Sequence, residues 1–196
     1  MARLLTINCQ QATMSLKISE ALQKLQTLSG QTHNLPKTSN KGGVGHHVES
    51  YLGIPKTSNC LDCEDGEIKA FPLKKLKNGT LVPKETVAVT MATGFQDASF
   101  DEHRAGKKMS NTVFVPYLRE GDSVTYKDPI HFDKGSHLYG KLKEDYDTIK
   151  STYQETNTMS SGTGTYLQTR TKGPKDSDSR AFYVKTNFLK EIMKPQ

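Results

Sequence analysis

An acidic loop followed by a short charged strand is the part of this sequence best suited to chemistry. Residues 60–69 read Cys-Leu-Asp-Cys-Glu-Asp-Gly-Glu-Ile-Lys. Because side chains alternate along a strand, Glu67 and Lys69 are predicted to project from one face, with Asp62 in the turn before them. Two carboxylates supply the oxygen ligands that Mg²⁺ prefers, and Lys69 beside the attacking water would help to neutralise developing charge. The segment therefore predicts a site for phosphodiester hydrolysis.

The same pattern also has a purely structural interpretation. Asp followed by Glu-x-Lys is short and common. It also describes a solvated strand edge with a charge pair two residues apart, a pair worth about 0.2–1 kcal/mol. The segment by itself leaves both interpretations open, and the sequence on either side of it has to decide between them.

Two cysteines in the acidic loop suggest zinc as an alternative metal. Cys60 and Cys63 lie near His46 and His47 in sequence, but structural zinc usually needs four close ligands, and the remaining cysteine, Cys9, is far away. An odd number of cysteines is also a poor disulfide framework. We therefore expect two ordinary thiols beside the acidic loop.

Composition and charge favour a globular protein with a polyanionic partner. The chain has 196 residues and a net charge of +6. A basic excess attracts phosphates, although this charge also fits a basic protein with no such partner. No stretch approaches the ~20 apolar residues of a membrane helix, and residues 1–7 are too polar for a secretory signal. We therefore expect a cytoplasmic protein with no membrane partner.

Hydrophobic periodicity predicts helices interleaved with strands, which indicates an α/β or mixed sheet. A polar linker is expected at 31–41 and a basic loop at 170–180. The predicted helices are 14–30, 42–53, 142–153 and 188–193. The predicted strands are 67–73, 86–91, 112–118, 165–169 and 181–185.

The sequence around the acidic loop resembles MutH and the Sau-type GATC restriction endonucleases, a branch of the PD-(D/E)XK superfamily. In that family Lys-Gly-x-Val/Phe-Gly leads into a helix that ends in Glu, followed by an aromatic residue and Gly, as in 41–53 here. The family then has Gly-x-Glu-x-Lys, whereas here Gly66 directly precedes Glu67 and the loop is two residues shorter. The resemblance covers about residues 40–195. Later matching segments are 71–79, 108–116, 142–146, 166–172 and 180–185.

The resemblance implies a role for each matching residue. Asp62 and Glu67 would bind the metal, Mg²⁺ or Mn²⁺, and Lys69 would be the catalytic lysine. Glu49 would be the helix acid that supports the metal site, and Lys108 a further active-site or phosphate-contacting lysine. The residues expected to face DNA are Lys41, Arg170, Lys172 and Tyr183.

Departures from the family pattern leave some positions open. The shortened loop makes Asp65 a rival of Asp62 as metal ligand, and Asp62 is preferred because it holds the matching position before the loop. Thr171 stands where the family usually has Pro, which affects the recognition loop. His103 is a candidate general base, although a loop position near DNA is the preferred interpretation.

The resemblance implies the PD-(D/E)XK α/β core, a central mixed sheet flanked by helices, with two lobes around a DNA cleft. Residues 1–34 would form an arm and helix, and 35–196 an endonuclease domain with an acid lobe at 35–130 and a DNA-reading lobe at 135–196. The expected function is that of a type II restriction enzyme. It would cleave double-stranded DNA at GATC, leave 5′-phosphate ends, and use a homodimer or sequential nicking to cut both strands. The alternatives are a mismatch-repair nickase activated by a partner, and a catalytically silent DNA-binding module.

Overall fold

A computed structural model describes residues 16–37, 42–55, 59–173 and 177–195 of the chain. In these ranges the chain forms five helices and nine strands. In chain order they are α1 (Ile18–Leu28), β1 (Thr32–Asn34), α2 (Gly43–Leu52), β2 (Glu67–Lys75), β3 (Leu81–Pro83), β4 (Val87–Met91), α3 (Arg104–Met109), β5 (Asn111–Glu120), β6 (Ser123–Tyr126), β7 (Ile130–Asp133), α4 (His137–Thr156), β8 (Leu167–Thr171), β9 (Arg180–Val184) and α5 (Thr186–Ile192).

The larger sheet is built around the parallel pair β2 and β5. It has six strands in the order β1-β6-β5-β2-β3, and β7 also pairs with β5. Glu67 at the start of β2 lies opposite Thr112 of β5, and Leu73 lies opposite Leu118. The remaining strand pairs in this sheet are antiparallel. The sheet is therefore mixed and flanked by helices, as the sequence predicts.

The smaller sheet has three antiparallel strands in the order β4-β9-β8. Its pairing shifts by one residue between Ala88 and Thr90, which marks a bulge in β4. Leu167 and Phe182, on one face, are fully buried. Arg170, which is exposed, and Tyr183, which is half-buried, lie on the opposite face. Part of this open face is therefore accessible to a ligand.

Side-chain alternation along β5 divides the core into two layers. Val113 and Val115 point into one cluster of buried residues, which they share with α1 and α2. Phe114 points the opposite way, into a second cluster with residues of α4, α5 and the smaller sheet. Because residues i and i+1 of a strand face opposite sides, the single strand β5 connects both layers.

The predicted lobes do not follow the two sheets. β4 lies within 35–130, yet it pairs with β9 of the smaller sheet. α1 lies within 1–34, yet Ile18 and Leu25 are buried in the same cluster as Val113 of β5. The division of the chain into an arm, an acid lobe and a reading lobe stays a prediction.

Most long elements occur where periodicity predicts them, with ends that differ by a few residues. The helix predicted at 142–153 begins earlier, because Ser136 caps it by accepting a hydrogen bond from the Leu138 N–H. Part of the predicted linker at 31–41 instead forms β1, which pairs with β6. None of the helices in the described ranges combines the length and the apolar character needed to cross a bilayer.

Candidate active site

Gly66 fixes the point where the acidic loop becomes β2. A Cβ atom at this position would lie 2.3 Å from the Asn111 carbonyl oxygen and 2.4 Å from Ile18 Cγ1. Only glycine allows the loop to approach β5 and α1 so closely. The Cys63 N–H donates to the Gly66 carbonyl at 2.9 Å and closes the turn. The next residue, Glu67, therefore starts β2 at a defined place.

Glu67 is the buried centre of the site, with 1% of its surface exposed. Its Oε1 accepts hydrogen bonds from Lys69 Nζ at 2.5 Å and from Lys108 Nζ at 2.6 Å. Its Oε2 is buried and has no hydrogen-bond partner among the described residues. A buried carboxylate oxygen without a partner is costly, so Oε2 is suited to a ligand that the chain itself does not supply.

Lys108 reaches Glu67 because α3 leads directly into β5. Thr112 of β5 lies opposite Glu67, and its Oγ1 donates to the Lys108 carbonyl at 2.5 Å. Gly106 allows α3 to pack against the preceding loop, since a Cβ there would lie 2.0 Å from the Phe100 carbonyl oxygen. The sequence indicates Lys108 only through the family resemblance, because 41 positions separate it from Glu67.

The two candidate aspartates have different surroundings. Asp62 Oδ2 accepts the Ile68 N–H at 3.1 Å, which holds this carboxylate beside the first residues of β2. Asp65 Oδ1 accepts the Ile18 N–H at 2.8 Å, at the first turn of α1. A carboxylate in that position stabilises the helix N-terminus. The contacts of Asp65 are therefore structural, and Asp62 remains the preferred metal ligand.

Glu49 lies on α2, which packs against β2. Its Oε2 contacts His46 Nδ1 at 3.1 Å, and its side chain is 32% exposed. The structure gives it no contact with Glu67 or Lys69 in the ranges described. Its predicted support of the metal site therefore stays a prediction.

A divalent ion fits the donor set at Glu67 and Asp62. Both are oxygen donors, and Glu67 Oε2 is the orphaned buried atom that a cation would pair with. The described residues contain no preassembled group of three or more His, Cys, Asp or Glu ligands. Two carboxylates are still compatible with Mg²⁺, which commonly keeps several positions for water and phosphate.

The structure gives no support to a zinc site at the cysteines. Burial first, and then the charges of Asp62, Asp65 and Glu67, raise the pKa of the Cys63 thiol to about 12. His47 points elsewhere, because its Nδ1 lies 2.8 Å from the Tyr126 hydroxyl. Cys9 lies outside the described residues.

The predicted DNA-facing residues gather on the open face of the smaller sheet. The Arg170 guanidinium lies over the Tyr183 ring, 5.7 Å from its centroid. Arg170 Nη1 also donates to Thr86 Oγ1 at 3.1 Å, just before β4. Lys172 is exposed beyond the end of β8. Lys41 lies outside the described residues.

Asp145 is a positioning residue whose individual role the sequence did not reveal. It is buried on α4, and its carboxylate accepts three consecutive backbone N–H groups, from Thr165 at 2.9 Å, Tyr166 at 2.6 Å and Leu167 at 2.8 Å. These bonds hold the start of β8, the strand that carries Arg170. The sequence carries one signal for this role, because Asp145 is a charged residue on the apolar face of a predicted helix.

His103 is the N-cap residue of α3. It is buried, its Nδ1 accepts the Ala105 N–H at 3.1 Å, and its Nε2 lies 3.1 Å from the Thr93 carbonyl oxygen. Because a carbonyl only accepts, Nε2 carries the proton and Nδ1 caps α3. Both ring nitrogens are occupied, which gives no support to His103 as a general base, while its position near DNA stays a prediction.

Comparison with known proteins shows what the sequence around this arrangement is similar to. A sequence profile described as "DNA mismatch repair enzyme MutH" matches residues 56–151. The chain is also 26% identical over 180 residues to the type II restriction enzyme Sau3AI of Staphylococcus aureus. Both matches make the chain similar to the MutH/Sau-type restriction endonuclease family. The profile match includes Asp62, Glu67, Lys69 and Lys108, the residues gathered around the start of β2.

The extent of each similarity differs. The match to Sau3AI covers 79% of this chain but only 37% of that enzyme, so the chain spans about a third of the relative's length. A solved structure titled "Restriction endonuclease MvaI-cognate DNA substrate complex" aligns over 92% of this chain and 97% of its own, at 15% identity and a TM-score of 0.48. The chain itself has the mixed sheet flanked by helices that the sequence predicts.

Proposed function

We propose that this MutH/Sau-type chain is a Mg²⁺-dependent endonuclease that hydrolyses duplex DNA. The observation that supports it most is the environment of Glu67. Two ammonium groups share its Oε1, and its buried Oε2 is free for a cation. A carboxylate placed among lysines beside a second acid suits a reaction in which negative charge builds up on a phosphate.

Glu67 and Asp62 are the residues that would hold the metal. A bound Mg²⁺ would supply Lewis-acid activation of the phosphate and neutralise charge in the transition state. Mn²⁺ would substitute, because it accepts the same oxygen ligands. Ca²⁺ is expected to support DNA binding without cleavage.

The lysines have separate tasks in this proposal. The Lys69 ammonium has three N–H donors and uses one on Glu67 Oε1. Its remaining donors can orient the attacking water and contact a phosphate oxygen. Lys108 approaches from α3 and contributes a second positive charge to the same phosphate. The reaction breaks the bond to the 3′ oxygen and leaves a 5′-phosphate and a 3′-hydroxyl.

We assign sequence recognition, at GATC, to the open face of the smaller sheet. An arginine can contact guanine through two hydrogen bonds in the major groove, whereas a lysine more often contacts phosphate. Arg170 is exposed and stacked on Tyr183, which fits a base reader. Lys172, beyond the strand end, fits a phosphate contact. The preferred role is a type II restriction enzyme, with a homodimer or sequential nicking to cut both strands.

A mismatch-repair nickase is the second candidate. The match of residues 56–151 to the MutH profile favours it. A nickase cuts one strand and needs no second active site on the duplex. The topology of the product therefore distinguishes the two roles, because nicked circular DNA differs from linear DNA on a gel.

The decisive experiment is a cleavage assay on matched GATC and scrambled duplexes, with a plasmid that carries GATC. The purified chain and a Glu67→Gln control are incubated with Mg²⁺, Mn²⁺, Ca²⁺ or EDTA. We expect the chain to cut GATC DNA in Mg²⁺ or Mn²⁺ only, and Glu67→Gln to be inactive. Cleavage in EDTA contradicts the metal dependence, and equal cleavage of both duplexes contradicts GATC recognition. Binding in Ca²⁺ without any cleavage in Mg²⁺ identifies a silent DNA-binding module.

A further inference from the structure

The hairpin formed by β2 and β3 is a strongly basic projection of the larger sheet. Its residues 74–84, the basic hairpin, include four lysines and no acidic residue. Residues 74–80 are all exposed, and β3 is the edge strand of the sheet. The four lysines are Lys74, Lys75, Lys77 and Lys84.

These lysines have no ion-pair partner among the described residues, unlike Lys69 and Lys108, which both pair with Glu67. The nearest acid in sequence, Glu85, follows the hairpin and is itself exposed. Lys74 and Lys75 are successive strand residues, so they project from opposite faces. The hairpin therefore presents positive charge on both sides, which suits a polyanion that runs past it.

The basic hairpin continues the surface that carries the predicted DNA-reading residues. Arg170 Nη1 donates to Thr86 Oγ1 at 3.1 Å, two positions after Lys84. The Lys84 N–H donates to the Pro72 carbonyl at 2.9 Å, which ties this connection to the middle of β2. Lys84 is thus two positions from the residue that Arg170 contacts, with the exposed Glu85 between them.

The basic hairpin lies far from Glu67, the centre of the candidate active site. Glu67 and Lys75 are the two ends of β2, and at about 3.3 Å per residue they lie roughly 26 Å apart. That span corresponds to about eight base pairs at 3.4 Å each. A phosphate held by the hairpin is therefore not the phosphate that is cut.

We propose that the basic hairpin binds backbone phosphates of duplex DNA that flanks the recognition site. This inference rests on the proposed function, because it takes the same duplex as the partner. The hairpin contributes affinity that does not depend on sequence and that salt weakens. It contributes little to the rate of the chemical step, since it does not contact the reacting phosphate.

The test compares a triple variant, Lys74→Ala with Lys75→Ala and Lys77→Ala, with a control that has the same charge change. The control removes the exposed lysines Lys17, Lys24 and Lys190. Binding is measured in Ca²⁺ at several salt concentrations, on duplexes that extend about four or about fifteen base pairs beyond GATC. Thermal unfolding checks that both variants fold.

We expect the hairpin variant to bind the long duplex about tenfold or more weakly, and its salt slope to fall by about 2–3. Its binding to the short duplex, and both duplexes with the control, should match the wild type. Equal behaviour of the hairpin variant and the control on the long duplex overturns this inference alone. Absence of wild-type binding to either duplex overturns the proposed function as well.

A further variant separates DNA from a protein partner. Leu76 at the tip is 41% exposed and is the apolar residue that a protein surface would use. Leu76→Ser should leave binding to the long duplex unchanged, because phosphate contacts need the lysines. If Leu76→Ser weakens binding while the lysine variant does not, the hairpin acts through apolar contact and the inference is wrong.

Discussion

At the scale of single residues, the shared oxygen of Glu67 defines the site. Two lysines from distant segments, Lys69 and Lys108, donate to Oε1, while Oε2 has no partner in the described part of the chain. Burying a carboxylate is costly unless it is paired, and here two ammonium groups offset that cost. The loss of one lysine therefore leaves Glu67 with a remaining partner, so the chemical and structural roles of each lysine can be separated.

Lys69→Ala tests that separation. We expect the variant to keep its fold, because Lys108 still pairs with Glu67, and to bind GATC duplex in Ca²⁺. Its single-turnover cleavage rate in Mg²⁺ should fall by about 10²-fold or more, because a group that stabilises transition-state charge is lost. Lys141→Ala, at an exposed lysine of α4, serves as the control. A wild-type rate for Lys69→Ala would exclude Lys69 from the chemistry.

Part of this site was predictable because it depends on local geometry. Strand alternation alone places Glu67 and Lys69 on one face, and the structure shows them in contact. The contact of Glu49 with His46 also has a local basis, because residues three apart are neighbours on a helix. The capping of α1 by Asp65 had no local signal, since it depends on how α1 packs against the acidic loop. Lys108 was accessible only through resemblance, because no sequence period connects it to Glu67.

At the scale of elements, the short helix α3 determines where Lys108 lies. Its six residues show no apolar periodicity, and the sequence did not predict it. Tertiary contacts stabilise it instead, through the His103 cap and the approach of Gly106 to Phe100.

The strands β1, β3, β6 and β7 were missed for a similar reason, because three or four residues are too few to show a pattern. Long amphipathic helices such as α1 were predicted because their buried residues recur every turn.

Gly106→Ala should move α3 and impair cleavage. The added methyl group would meet the Phe100 carbonyl, so the helix must shift and carry Lys108 away from Glu67. We expect a loss of about 1–3 kcal/mol in stability and a slower cleavage rate at temperatures where the protein stays folded. Gly140→Ala is the matched control, since Gly140 is also helical but has open space around it. If both variants cleave at the wild-type rate, the position of α3 does not limit the reaction.

At the scale of the whole molecule, a buried histidine, His103, and a half-buried one, His47, make stability depend on pH. Burial lowers the pKa of His103, and the charges of Arg104 and Lys107 lower it further, while the hydrogen bond to Thr93 opposes them. Burial and the nearby His33 lower the pKa of His47, in the other layer. In the unfolded chain both histidines bind a proton as the pH falls through about 6.5, whereas in the folded chain they bind it only at a lower pH. Their contribution to stability is therefore complete above about pH 6.5 and is lost as the pH falls below it.

Thermal unfolding at pH 8, 6.5 and 5 should show this loss. We expect the wild type to lose stability between pH 6.5 and 5, and His103→Asn to lose less over the same interval. Asparagine can still cap α3 but does not titrate. The variant is also less stable at every pH, because it loses the ring contacts with Tyr146 and Phe182, so the slope with pH is the measurement. His137→Asn, at an exposed histidine, is the control. Parallel curves for the wild type and His103→Asn would contradict this account.

The central position of β5 has a consequence for the order in which the protein is synthesised. Glu67 and the two lysines that donate to it have all been synthesised once residue 108 has been added. Phe114 of β5, however, packs against Phe188 of α5, 5.8 Å between ring centroids, and Phe71 of β2 packs against Phe114. A nascent chain that ends before α5 leaves this layer open, and removal of one such phenylalanine costs about 3–5 kcal/mol. The layer that supports β2 and β5 is therefore complete only after α5 has been synthesised, so Glu67 and its lysines are made well before the packing that holds their strands in place.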